Sequence, residues 1–403
     1  MGGRRDREVA AGGDEVNWTR ARLKYIARFG YGDALPQNEL QEGSVLVYGS
    51  NGPYTSFSRS NTGSPAIIVG RKGSYGKVNW TFEPCFASDT TFFIDSSTCN
   101  YELRWVYWVL QTLGLDEGSG EAAVPGLNRE TAYNKYLMIP PPTQRIAIAH
   151  YLDREIERLD ALIAAKERWL ELLAKKRETI ITGRVTRGLD PKTSFRDSCI
   201  PWIGEVPAHW EIERARWLFR ERDQRSETGG EELLTVSHLT GVTPRAEKDV
   251  NMFEAETTEG YKICLKGDLV INTMWAWMGA MGVSPVDGIV SPAYNVYTPS
   301  ERFDPAYVDS LVRTPVFIQE ATRYSKGVWS SRLRLYPEGL YEIWMPVPPK
   351  EEQIAIVGSI KTETVKLDSL RVATERTIGL LKERRTALIT NAVTGKIEIK
   401  EEL

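Results

Sequence analysis

The sequence predicts an α+β chain in which two α/β globular blocks alternate with two long helices that pair as an antiparallel coiled coil, giving a pseudo-twofold plan. Three observations lead there. A helical stretch beginning at Pro140 returns without a gap at Pro348, 208 positions on. Both copies carry an a/d rhythm of apolar residues. The chain ahead of each copy also repeats, at a spacing of 192, as Trp18-x-x-x-Arg22-x-Lys24-Tyr25-Ile26 and Trp210-x-x-x-Arg214-x-Arg216-Trp217-Leu218. A repeat this far apart implies a chain built of two equivalent halves. Halves packed through the same surfaces form an isologous pair, which sets the two helices antiparallel.

Residues 1–17 are rich in Gly and charge and read as a disordered leader without the apolar core of a signal peptide. Residues 18–139 form the first block. Ser44-Val45-Leu46-Val47-Tyr48, Ala66-Ile67-Ile68-Val69 and Thr90-Thr91-Phe92-Phe93-Ile94 read as short strands. The first two lead into glycine-punctuated turns, and Leu103 to Leu113 reads as a helix with an aromatic face.

The first long helix covers 140–186. It opens Pro140-Pro141-Pro142, where a missing N–H costs nothing. Leu152, Ile156, Leu159, Ile163, Leu170, Leu173 and Ile180 mark its seam, and Lys166 and Arg177 fill two slots of the pattern. About 40 residues at 1.5 Å each make a rod of roughly 60 Å. Alone, such a rod could equally serve to join two chains; its second copy in the same polypeptide points to an internal partner. A linker at 187–201 leads to the second block, 202–346. The second long helix, 347–396, keeps the seam at Ile360, Leu367, Ile378, Leu381 and Leu388, with Thr364, Arg371, Thr374 and Arg385 interrupting it. Arg371 and Arg385 are expected opposite Lys166 and Arg177, where they set the register or mark a docking place. A charged tail, 397–403, follows.

Composition narrows the function. With 403 residues, 41% hydrophobic and 26% charged, this is the make-up of a globular protein of two or three domains. Cys85, Cys99, Cys199 and Cys264 are scattered and only three histidines accompany them, so neither a zinc site nor a disulfide framework is indicated, as suits a reducing cytoplasm. No run is long enough to span a bilayer. A net charge of -3 gives no global attraction to nucleic acid, so any such binding rests on local basic patches.

Motifs for catalysis are missing. There is no GxxxxGK[ST] phosphate loop, and the Gly70, Gly73, Gly76 spacing is not a dinucleotide fingerprint. Ser291-Pro292-Ala293-Tyr294 only superficially resembles a methyltransferase site, and Glu398-x-Lys400 lacks an upstream aspartate. His150, His209 and His238 lie far apart with no nucleophile near. The chain is expected to have no active site and no cofactor of its own.

Binding features are richer. Arg71, Lys72, Ser74, Tyr75, Lys77, Asn79 and Trp80 gather cations, amides and aromatics on one glycine-flanked loop, suited to base edges and phosphates. Asn272, Trp275 and Trp277 occupy a comparable position after the strand Leu269-Val270-Ile271. Lys326, Ser330, Ser331, Arg332 and Arg334, with Arg323 beside them, make a basic, hydroxyl-rich stretch before the second long helix. Asn128 and Arg129 hold the matching place before the first. Each could singly be a solvated loop or a core residue; their repetition in both halves points to double-stranded DNA.

These residues resemble a known family. Ile139-Pro140-Pro141-Pro142 with Gln144-Arg145-Ile146-Ala147-Ile148, the matching Val347-Pro348-Pro349 with Glu352-Gln353-Ile354-Ala355, and Trp202-Ile203-Gly204-Glu205-Val206-Pro207-Ala208-His209-Trp210 are similar to the specificity subunit of type I restriction–modification systems. The first block departs from the pattern by lacking the Trp-Ile-Gly-Glu opening. The resemblance implies that residues 18–139 and 202–346 are target recognition domains reading the two halves of a split, asymmetric DNA site. The helices are then spacers and docking places for two modification subunits. S-adenosylmethionine, ATP and Mg would belong to those subunits and to the restriction/translocase subunits. A stand-alone DNA-binding coiled-coil protein is the competing expectation.

Overall fold

The computed structural model describes residues 18–36, 43–117, 126–247, 257–327 and 332–399. The chain forms two compact units, Met1–Glu167 with Arg376–Leu403, and Arg168–Glu375. Both boundaries fall inside the long helices, so each unit owns a globular block and a piece of each helix. The units thus cut across the block-and-rod order read from the sequence.

In the first unit, β1 (Thr19–Arg22) pairs antiparallel with β9 (Tyr136–Ile139). Between them lie β2 (Gly30–Tyr31), β3 (Val45–Gly49), β4 (Gly52–Phe57), β5 (Ala66–Gly70), β6 (Val78–Thr81), β7 (Phe86–Ala87) and β8 (Thr91–Ile94). They make one sheet in the order β2-β8-β5-β6 and a smaller one, β4-β3-β7. The unbroken apolar run of β5 is buried at every position, as expected of a central strand covered on both faces. Helix α1 (Leu103–Leu110) buries Trp105, Val106, Trp108, Val109 and Leu110 against it. It stops three residues short of the predicted Leu113, giving way to turns that end at Gly114 with φ +57. Helix α2 (Arg129–Asn134) precedes β9, and α3 (Pro142–Arg187) is the first long helix. Its Ile148, Leu152, Ile156 and Leu159 join the same core as Ile389, Ala392 and Val393, near the far end of the second long helix. Arg385 meets Asp160 at 2.8 Å and Lys382 meets Glu167 at 3.1 Å, which makes the pairing antiparallel. Exposed ion pairs of this kind contribute about 0–1 kcal/mol, so they fix register while the apolar seam supplies stability.

The second unit repeats the plan. Its α4 (Ala215–Leu218), α5 (Pro305–Val312), α6 (Pro315–Arg323) and α7 (Pro337–Glu342) lead to α8 (Lys350–Val393), the second long helix. The region expected to be a linker instead contains β10 (Phe195–Asp197), hydrogen-bonded to β11 (Glu205–Pro207). β12 (Glu211–Arg214) pairs with β21 (Trp344–Val347) as β1 does with β9. The main sheet runs β13-β20-β17-β18, formed by Phe219–Glu221, Tyr294–Pro299, Leu269–Asn272 and Met281–Val283. That order reproduces β2-β8-β5-β6. Two hairpin-like pairs differ from the first unit: β14 (Leu234–Ser237) with β15 (Gly241–Pro244), and β16 (Lys262–Cys264) with β19 (Gly288–Val290). Val185 of α3 and Ile356 and Ile360 of α8 enter its core.

The seam corrects one expectation. Arg177 and Arg385 do not face other cations: Arg177 meets Asp368 at 2.5 Å and Arg385 meets Asp160, while Arg371 turns to Glu375 on its own helix at 2.7 Å. Coulomb repulsion between guanidiniums at the seam would cost what these pairs recover. Thr364 and Thr374 are buried there, and their hydroxyls donate to the carbonyls of Lys361 and Leu370, which removes the penalty of burying them unpaired.

Each unit contains the same kind of clamp. Trp18 Nε1 donates to Gln144 Oε1 at 2.9 Å, and Trp210 Nε1 donates to Glu352 Oε2 at 3.0 Å. Gln144 and Glu352 stand at equivalent places in the first turns of α3 and α8. Gly395, φ +72, closes α8 against the Trp18 ring, where an added Cβ would lie 3.3 Å from it. Gly188, φ +76, closes α3 against Trp210 in the same way at 3.2 Å. Left-handed backbone and ring contact together select glycine at both helix ends. Among the described residues no helix is long and apolar enough to cross a membrane.

Trp210 is 1% exposed. Trp210→Ala is expected to cost about 3–5 kcal/mol, and hydrogen exchange should rise at both the end of α3 and the start of α8. Trp210→Phe keeps most of the packing, so a loss as large as that of the Ala variant would contradict the clamp.

Candidate nucleic-acid interface

In the first unit the candidate loop is the β5–β6 turn. Gly76 N donates to Gly70 O and Gly70 N to Lys77 O, both at 2.8 Å, which pinches Arg71–Lys77 outward. The Arg71 guanidinium lies 5.1 Å from the Tyr31 ring centre, and Arg129 lies 5.1 Å from the same ring. Tyr31 is 48% exposed. A half-exposed aromatic with two guanidiniums on it is therefore the centre of this site, and sequence reading missed it because Tyr31 is about 40 positions from Arg71. The segment holding Arg129 is tied to the turn by Leu127 N donating to Arg71 O at 2.9 Å and by a bridge between Lys72 and Gly126.

Other residues of the loop have structural duties. Lys72 is 3.9 Å from Asp89, and Lys77 Nζ donates to Asn51 Oδ1 at 2.8 Å. Asn128 caps α2, its Oδ1 accepting from Glu130 N and Thr131 N. Ser74 is exposed and Tyr75 packs partly on the core. Asn79 and Trp80 are not at the tip. They pair with Ile68 and Ile67 in the sheet, and the Trp80 ring packs edge-on against Tyr107 at 5.7 Å under the Arg104 guanidinium.

In the second unit the β17–β18 turn takes the equivalent position. Asn272 is buried, and its Oδ1 accepts from Met274 N at 3.2 Å, shaping the turn. Trp275, 49% exposed, stacks on Trp277 with centroids 6.2 Å apart, and Trp277 Nε1 donates to Met274 O. Thr322 Oγ1 donates to Trp277 O at 3.4 Å, and Leu335 N donates to Thr273 O at 3.2 Å. Between these tethers Lys326 and Arg334 exchange two backbone hydrogen bonds of 2.9 Å. Lys326, Arg332 and Arg334 are exposed, and among the described residues none has a carboxylate partner. Ser330 and Ser331 lie outside the described residues.

Leu335-to-Thr273 and Leu127-to-Arg71 are one hydrogen bond built twice, at equivalent places beside the same sheet edge. What the two turns carry differs: guanidiniums over tyrosine in one, stacked indoles beside free cations in the other. Such groups reach base edges and phosphates. The buried thiols of Cys85 and Cys264 are poor nucleophiles; desolvation raises both, Cys264 to about 12. Among the described residues no three His, Cys, Asp or Glu side chains are placed to hold a metal ion.

These placements separate packing from binding. Trp80→Ala is expected to cost the first unit about 1–3 kcal/mol, as for a half-buried indole packed on the core, whereas Trp275→Ala should stay within about 0.5 kcal/mol. Chemical denaturation followed by hydrogen exchange checks both, and an equal loss for the two would refute the assignment.

No family model matches the chain. It is 22% identical over 354 residues to the Type I restriction enzyme EcoBI specificity subunit of Escherichia coli, covering 82% of this chain and 73% of that one. In fold it is similar to a chain of a solved type I R-M system, with a TM-score of 0.69 at 14% identity over 94% of this chain and 98% of the other. It also superposes on the HsdS subunit from Thermoanaerobacter tengcongensis, with a TM-score of 0.51 at 14% identity, over 94% and 97%. In sequence and in fold, the chain is similar to the specificity subunits of type I restriction–modification systems.

Proposed function

We propose that the chain is the non-catalytic DNA-recognition subunit of a type I restriction–modification complex, each unit reading one half of a split, asymmetric target. The observation that carries this is the duplicated turn: one sheet order, one tether, two different sets of cationic and aromatic side chains. Different side chains on equivalent scaffolds read different half-sites. A net charge of -3 leaves affinity to local patches such as Arg71 with Arg129 and Lys326 with Arg334.

In this reading two modification subunits dock on the chain and bring S-adenosylmethionine to methylate adenine. Restriction/translocase subunits bring ATP and Mg. The complex works in the cytoplasm. The long helices, 46 and 44 residues, set the gap between half-sites.

Mapping methylated adenines in cells with and without the gene tests the reading; identical maps would refute it, and tight duplex binding without partners would favour a stand-alone DNA-binding protein. Arg71→Ala should relax one half-site only, at about 1–3 kcal/mol if the guanidinium reads a base. Removing one heptad from each long helix shortens them by about 10 Å, about three base pairs at 3.4 Å each. The permitted gap should shrink by that much with both half-sites intact; altered bases with an unaltered gap would end the ruler idea.

A further inference from the structure

One repeated element is not used by DNA recognition as described above. Arg22, Lys24, Tyr25 and Arg28 recur 192 positions on as Arg214, Arg216, Trp217 and Arg220. Each set sits on a short helical turn, Leu23–Tyr25 in one unit and α4 in the other. Leu23 and Leu218 anchor these turns, both fully buried. On the outer side Tyr25 is 68% and Trp217 71% exposed, more than any other aromatic of its own kind among the described residues. A large ring held in water on a well-anchored turn, at equivalent places in both units, is suited to anchor a partner.

The charges beside the rings indicate what does. Arg22 donates to Tyr136 Oη at 3.0 Å and Asn134 Oδ1 at 3.3 Å. Arg214 donates to Glu342 Oε2 at 2.7 Å and lies over the Trp344 ring, and Arg216 also pairs with Glu342. Arg22, Arg214 and Arg216 are thus committed to local acceptors and the Lys24 ammonium lies 5.0 Å from the Tyr25 ring centre, whereas binding a phosphate backbone calls for free cations. Arg28 and Arg220 remain exposed, with no carboxylate partner among the described residues. What each unit offers is an aromatic anchor with one free guanidinium three positions on, a combination typical of protein hot spots.

We propose that Tyr25 and Trp217 are equivalent anchors for two copies of one protein partner, one copy per unit, each receiving the ring in an apolar pocket and the arginine on a carboxylate. The recognition turns differ between units because their half-sites differ; these turns keep one chemistry because they meet the same surface twice. Resting on the reading above, the partner is the modification subunit.

The test is native mass spectrometry of the full chain mixed with its cognate modification subunit, alongside duplex binding by the chain alone. The wild-type chain should bind two copies; if it binds none, the reading under Proposed function falls, and this proposal with it. Tyr25→Ala or Trp217→Ala should each weaken one copy about 30-fold or more, and the double variant both. Tyr25→Trp and Trp217→Tyr should restore binding. Because both rings are exposed, circular dichroism should be unchanged. Two copies retained by the double variant would overturn the proposal while leaving the reading intact. Undiminished stoichiometry with weakened duplex binding would overturn it in favour of a phosphate contact.

Discussion

In each unit an indole is held between the beginning of one long helix and the end of the other. The N–H of Trp18 or Trp210 reaches a side chain in the first turn of α3 or α8, and a left-handed glycine brings the opposite helix's last turn onto the ring. The β1–β9 and β12–β21 pairs begin beside these tryptophans, and the main sheets lie between the strands of those pairs in the chain. Local side-chain chemistry therefore fixes how a sheet is mounted on a helical pair, and it does so by one rule applied twice. The carboxylate of Glu352 in place of Gln144 adds a second acceptor role: His209 Nε2 lies 2.9 Å from it.

With the mounting duplicated, divergence is confined to what the mounting presents. The β5–β6 and β17–β18 turns are tethered alike, yet one holds Arg71 and Arg129 over Tyr31 and the other holds Trp275 on Trp277. Guanidinium–aromatic contacts restrict where the cation can point, which lowers the entropy lost when it binds. Paired indoles achieve the same stiffness by stacking.

Legibility followed the range of the interactions. The helices were readable because a seam is a local, periodic signal: Leu152, Ile156, Leu159 and Leu173 are buried as their spacing requires. Strands β3, β5 and β17 were readable as apolar runs between glycines. The β10–β11 pair was not, since Phe195-Arg196-Asp197 alternates nothing and is defined only by its partner. In the candidate interface, composition is enough to place Arg71 and Trp275 on the turns that follow β5 and β17. Tyr31 was invisible because only the sheet brings it to Arg71, and Trp80 was placed at the tip because a tryptophan near cations looks alike whether it faces water or Tyr107. Asn128 and Asn272 read as binding amides but spend their oxygens on backbone N–H groups, a use that spacing alone does not distinguish.

The sharing of the long helices between units has a consequence for synthesis. The first unit's core needs Ile389, Ala392 and Val393, which are made about 230 residues after Leu159, the last of the α3 residues they pack with. At about 5–20 residues per second that is roughly 12–46 s during which Leu152, Ile156 and Leu159 have no partner helix. The amino-terminal half thus matures last in part, and its nascent apolar seam must be kept from other chains until α8 has been made.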